Sequence, residues 1–146
     1  MLWFFDFGHV LCNTPHPSNR KEHTSETPKG VSVDDPVNLN MVKLARNMSY
    51  VGSEEVFCAT FRKAHTFYDV TSKWLVKNGL VNVHLLCNPC PLPEKEGLSA
   101  PEVKYNHILK AMEMYPGQKV GMFFDDDPRV FEFLTQKGIP CSLVRA

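Results

Sequence analysis

Residues 1–11 read MLWFFDFGHVL, and this opening decides the fold. Four large apolar residues, Leu2, Trp3, Phe4 and Phe5, lead without interruption into one carboxylate, Asp6. A short, wholly apolar run closed by turn-type residues predicts a strand buried in a parallel sheet. A carboxylate at its carboxyl end stands where open α/β sheets gather their ligands. Gly8 and His9 follow, at the place where a second carboxylate would complete a strong catalytic signature.

Downstream, the same punctuation recurs. A polar stretch over 13–35 reads as a long loop. Asp35-Pro36 then offers an N-cap and a first-turn proline. Val37, Met41, Leu44, Ala45 and Met48 follow at helical spacing up to Gly52. A second strand is expected over 55–59, ending at Thr60. A helix is expected over 61–78, with Ala64, Phe67, Tyr68, Thr71, Trp74 and Leu75 on its apolar face. A third strand is expected over 81–86, before a Pro-rich loop over 87–98. Ser99 and Glu102 form a capping box for a helix whose buried stripe is Tyr105, Ile108, Leu109 and Met112. A fourth strand over 119–124 runs into Asp125-Asp126-Asp127. A helix from Pro128 carries Val130, Phe131 and Leu134, and a fifth strand spans 141–144. Strict alternation predicts one Rossmann-like parallel sheet of about five strands, with helices on both faces. One domain over 1–146 is expected.

Composition bounds the function. The 146 residues are 43% hydrophobic and 22% charged, ordinary values for a globular chain. Sixteen Lys+Arg balance sixteen Asp+Glu, which argues against broad attraction to nucleic acid or membrane, though not against a local basic patch. No apolar run approaches the roughly 20 residues that span a bilayer. The opening lacks a basic leader, so a cytoplasmic, disulfide-free protein is expected. Cys87 and Cys90, with His84 nearby, are too few ligands for a zinc site, which takes four. His16 and His23 in the long loop read as solvated. Trp3, Trp74 and the Phe4/Phe5 and Phe123/Phe124 pairs read as core.

All strand C-terminal ends of a parallel sheet share one edge. That edge collects Asp6, Thr60 and the Asp125–Asp127 run, with Lys104 near a helix start. Carboxylates from two strand ends suit Mg²⁺, a hard cation that takes oxygen ligands. A lysine and a hydroxyl beside them suit phosphate oxygens. An aspartate so placed can attack phosphorus.

These residues, in this order, resemble the haloacid dehalogenase (HAD) superfamily of phosphohydrolases, over essentially the whole chain. The resemblance makes Asp6 the nucleophile. Thr60 in FCATFR matches the second-motif hydroxyl, and Arg62 matches an arginine two positions on that contacts substrate. Lys104 in PEVKYNHIL matches the third-motif lysine. Asp125 and Asp126 in MFFDDDP match the paired acids, which would hold Mg²⁺ with Asp6 and the Gly8 carbonyl. The second and fourth motifs most resemble the 3′-phosphatase domains of polynucleotide kinases and related phage-type phosphatases. Those often carry an arginine where this chain has Cys87-Asn88. The family's D-x-D-G-T-L motif reads Asp6-Phe7-Gly8-His9-Val10-Leu11 here, so the general acid/base position is Gly8. His9 is a substitute candidate one position later. Both loops are too short for a cap domain, which leaves an open site suited to a nucleotide, a nucleic-acid end or a protein partner. Two functions follow as expectations. One is a Mg²⁺-dependent phosphohydrolase impaired at Gly8; the other is a catalytically degenerate module that binds phosphate, nucleotide or a protein.

Overall fold

The computed structural model describes residues 1–13, 32–89 and 97–144. Its elements alternate in chain order: β1 (Leu2–Phe5), α1 (Leu39–Ser49), β2 (Glu55–Lys63), α2 (Ala64–Lys77), β3 (His84–Asn88), α3 (Ala100–Met114), β4 (Val120–Asp125), α4 (Pro128–Gln136) and β5 (Cys141–Leu143). The strands form one sheet in the order β3-β2-β1-β4-β5. Every pairing is parallel. β1 is therefore central, and the chain winds outward from it in both directions. Such a switch point opens a crevice at the carboxyl edge.

The alternation of side chains along the strands builds two cores. Leu2, Phe4, Phe57, Ala59 and Phe123 pack with Ile108, Ala111, Val130 and Leu134 of α3 and α4. Phe5, Val56 and Cys58 point the other way and pack with Val42, Ala45, Trp74 and Leu75 of α1 and α2. This is the doubly covered α/β architecture that the apolar runs predict. Phe4 stacks between Phe57 at 5.2 Å and Phe123 at 5.5 Å, which locks the three central strands in register.

One glycine is dictated by a neighbour. A Cβ at Gly121 on β4 would lie 2.7 Å from the Trp3 ring, and Trp3 is held by its Nε1–H donating to Glu54 Oε2 at 3.0 Å. Overpacking a rigid ring costs about 1–3 kcal/mol. Gly121→Ala should lower stability by that amount in urea unfolding; an unchanged midpoint would show that Trp3 gives way freely.

Several boundaries differ from the sequence reading. α1 starts at Leu39, not at Pro36, because 36–38 pair back onto the segment after β1. Asn13 N–H donates to the Pro36 carbonyl at 2.9 Å, and Asn38 N–H to the Leu11 carbonyl at 2.8 Å. β2 runs past Thr60 to Lys63, so α2 begins at Ala64. The β2–β3 register slips between Ala59 and Lys63, and this irregular strand end is what the sequence reading takes for helix. β3 lies later than expected, at His84–Asn88. Tyr68 on α2 is exposed. On α3 the buried residues are Val103, Lys104, His107, Ile108 and Ala111, while Leu109 and Met112 are exposed.

The Ser99–Glu102 capping box is formed. Residues 14–31 and 90–96 lie outside the described residues, and with them the short-loop, capless reading, His16, His23 and Cys90. Among the described residues no helix is long and apolar enough to cross a membrane.

Candidate active site

β1 delivers Asp6 to the carboxyl edge. Its N–H donates to the Phe124 carbonyl at 2.9 Å, so the residue still belongs to the β1–β4 ladder while its side chain leaves the sheet. β4 delivers Asp125, fully buried, one strand away. The Lys104 ammonium sits between them. Its Nζ lies 2.6 Å from Asp125 Oδ2 and 3.2 Å from Asp6 Oδ1. Lys104 is only 4% exposed, so this is a buried carboxylate–ammonium–carboxylate bridge between two strands and a helix.

Asp126 completes an acidic cluster. One carboxylate oxygen from each of Asp6, Asp125 and Asp126 lies within 4.8 Å of the others. Asp125 Oδ1 accepts the Asp127 N–H at 2.9 Å, which shapes the turn that carries Asp126. Asp127 itself caps α4, accepting from the Arg129 N–H at 2.9 Å.

The electrostatics are those of an unbalanced site. Burial pushes the Asp125 carboxyl up to about 7; Asp6 adds to the rise and Lys104 opposes it. Burial also raises Asp6, against Lys104 and together with Asp126. Asp126 is raised by burial and by Asp125, while a hydrogen bond to Asp6 and the nearby His9 oppose the shift. Burial disfavours the Lys104 ammonium, but Asp6 and Asp125 outweigh it and hold its pKa above the usual lysine value. Three carboxylates face one ammonium, so the cluster holds more negative charge than Lys104 neutralises. A divalent cation fits this donor set: oxygen ligands only, closely grouped, with excess negative charge. Asp6, Asp125 and Asp126 are the side chains that would hold it.

The turn after Asp6 is tight. The Leu11 and Cys12 N–H groups both donate to the Phe7 carbonyl, at 3.1 and 2.9 Å. His9 adopts φ 60°, a left-handed conformation that is uncommon for a non-glycine residue. Gly8 and His9 are both half-buried.

Thr60 sits on the adjacent strand, 1% exposed. Its Oγ1 accepts the Arg62 N–H at 3.1 Å, which leaves the hydroxyl proton available to donate. Arg62 is buried in the core. Its Cζ lies 4.1 Å over the Phe7 ring and its Nη1 donates to Thr71 Oγ1 at 3.3 Å. Among the described residues Nη2 has no hydrogen-bond partner. Here Arg62 supports Phe7, and through it the turn that follows Asp6. Cys87 is buried, which pushes its thiol up to about 12. His84 Nε2 is shared by Glu55 Oε2 at 3.0 Å and Tyr115 Oη at 3.1 Å.

One residue at this edge escaped the sequence reading. His107, 4% exposed, lies one helical turn after Lys104, with its Nε2 2.9 Å from the Thr60 carbonyl oxygen. The available signal was its spacing: three residues apart on a helix share a face. Burial lowers the His107 pKa to about 4, so the ring is neutral at pH 7. Unfolded histidine titrates near 6.5. Between these values the unfolded chain binds the extra proton, so stability must fall as pH drops from about 6.5 to about 4. The contribution is about 3 kcal/mol. Urea midpoints across that window should fall more steeply for the native chain than for His107→Gln; parallel curves would contradict the assignment.

No protein-family model matches the chain, and no match is found among curated proteins. Solved structures do match in fold. One is a chain in the structure of the Pnkp1/Rnl/Hen1 RNA repair complex, with TM-score 0.71 and 17% identity. The match covers 98% of this chain and 42% of that one. Another, in the structure of a Pnkp1/Rnl/Hen1 complex, gives TM-score 0.68 and 16% identity, over 98% of this chain and 45% of that one. This chain thus spans less than half the length of either. At such identities the likeness is one of fold: a five-stranded parallel α/β sheet of Rossmann type, shared with chains found in RNA repair complexes.

Proposed function

We propose that this chain carries a Mg²⁺-dependent phosphohydrolase site of the HAD type, acting on a phosphomonoester of a nucleotide or nucleic-acid 3′ end. The observation that carries the reading is the Asp6–Lys104–Asp125 bridge, with Asp126 beside it, at the switch point of the sheet. Asp6 is the nucleophile: its carboxylate oxygen bonds to phosphorus as the ester P–O bond breaks, leaving an aspartyl phosphate that water later hydrolyses. Lys104 orients the Asp6 carboxylate and faces the phosphoryl oxygens. The Thr60 hydroxyl donates to one of them. Bound Mg²⁺ would add charge neutralisation at the phosphoryl group. The fold shared with RNA repair complex chains favours a nucleic-acid end over a small metabolite.

Gly8 supports a second reading. With no acid at that position, the leaving oxygen receives no proton from residue 8 and the second step has no base there. A catalytically degenerate module that binds phosphate, nucleotide or a protein partner retains every other feature. Paired turnover separates the two. Phosphate release is measured from a nucleoside 3′-phosphate and from 4-nitrophenyl phosphate with Mg²⁺, for the native chain and Asp6→Asn. Turnover above the Asp6→Asn level supports the enzyme; equal rates on both esters leave the binding module.

A further inference from the structure

We infer that His107 is a positioning residue for Thr60, holding the peptide that carries the hydroxyl at the point where β2 leaves its ladder. This rests on the phosphohydrolase reading for what Thr60 does, though not for how it is held. The β2–β3 pairing is regular to Ala59↔Leu86 and resumes only at Lys63↔Asn88. Four steps along β2 are thus matched by two along β3. Thr60 falls in the slipped segment, where regular ladder bonding to β3 is interrupted, and it is fully buried. A buried carbonyl left without a donor is costly, and His107 supplies one from the opposite layer, at 2.9 Å. On its other side the Arg62 N–H donates to Thr60 Oγ1.

The two bonds divide the work. Arg62 occupies an acceptor site of the hydroxyl and leaves its proton to donate. His107 fixes the peptide itself. The same helix face that carries Lys104 to Asp6 and Asp125 therefore also sets the height of Thr60. α3 is a common ruler for three strand ends, since Lys104 bonds to residues following β1 and ending β4, and His107 to β2. Neutral imidazole suits this task, because it keeps a ring N–H donor without burying a charge.

Two variants test it. His107→Leu removes the donor and keeps apolar bulk; His107→Gln retains an N–H of similar reach. The first readout is the Phe61 amide resonance, which belongs to the peptide whose carbonyl His107 bonds. It should move in folded His107→Leu and return towards native in His107→Gln. The second is turnover of 4-nitrophenyl phosphate: kcat should drop about 10–100-fold in His107→Leu, as for a small misplacement of a reacting group. KM should change little, and His107→Gln should recover most of the rate. In the native chain the His107 Nε2–H should give a slowly exchanging resonance at pH 7, a measurement that stands even where His107→Leu does not fold. An unmoved Phe61 amide, a fast-exchanging ring proton or failure of His107→Gln to restore the amide position would each overturn the inference. If the native chain turns over no faster than Asp6→Asn, the phosphohydrolase reading fails by itself. The amide and ring-proton resonances still decide what His107 holds.

Discussion

Gly8→Asp is expected to raise turnover of a nucleoside 3′-phosphate by about 10²–10⁴-fold, the range a positioned general acid/base contributes. The backbone permits the change. Among the described residues the positive-φ glycines are Gly79, Gly117 and Gly138, so the φ of Gly8 is not one that favours glycine over aspartate. It is half-buried, two residues after Asp6 on the turn that follows β1. The gain must depend on the leaving group. A sugar alkoxide needs a proton as it departs, whereas 4-nitrophenolate leaves unassisted, so the first step of the aryl ester should gain far less. Steady-state rates on the two esters, for native, Gly8→Asp and Gly8→Asp/Asp6→Asn chains, check this. A folded Gly8→Asp chain with no gain on the sugar phosphate would mean that Gly8 is not what limits the site. A gain that survives Asp6→Asn would remove Asp6 as the nucleophile.

The legible parts of this molecule are those where local pattern and environment agree. LWFF followed by Asp6 is apolar on both faces and ends at a carboxylate, so burial in the sheet centre and a polar strand end follow from the same residues. MFFDDDP repeats that pattern on β4, and the two strands are neighbours. Asp6, Lys104 and Asp125 accordingly meet as expected. The illegible parts are those where a polar side chain is buried for a distant partner. Lys104 and His107 occupy core positions of α3 because Asp125 and Thr60 await them. A reading by hydrophobicity therefore rotates the buried stripe toward Leu109 and Met112. The burial of Arg62 is hidden from such a reading for a related reason. Its strand is irregular between Ala59 and Lys63, so neither a period of 2 nor one of 3.6 describes it. The ring that shelters its guanidinium, Phe7, comes from another strand end altogether.

Lys104→Met tests how much of the fold hangs on the site. Two buried carboxylates, Asp6 and Asp125, share this one ammonium at 3.2 and 2.6 Å, and methionine keeps the length of the side chain while removing its charge. Breaking a buried pair by deleting one partner costs about 3–5 kcal/mol, because the remaining charge is left uncompensated. Here two acids are left facing each other across neighbouring strands, with Asp126 adding to them. The urea midpoint of Lys104→Met without metal should therefore fall by the full amount. Divalent metal should then recover part of it. A cation bound only by the folded chain stabilises by RT ln(1 + [L]/Kd), about 2.7 kcal/mol at a hundredfold excess over Kd. The lost ammonium no longer competes for the same oxygens, so Mg²⁺ should raise the midpoint of Lys104→Met more than that of the native chain. Lys104→Met/Asp125→Asn separates charge from packing. It removes one of the stranded acids, and it should be more stable than Lys104→Met without metal yet respond less to Mg²⁺. A Lys104→Met midpoint near the native value would mean that the bridge contributes little to folding. A midpoint that falls but does not answer to Mg²⁺ would mean that the three carboxylates are not a cation site.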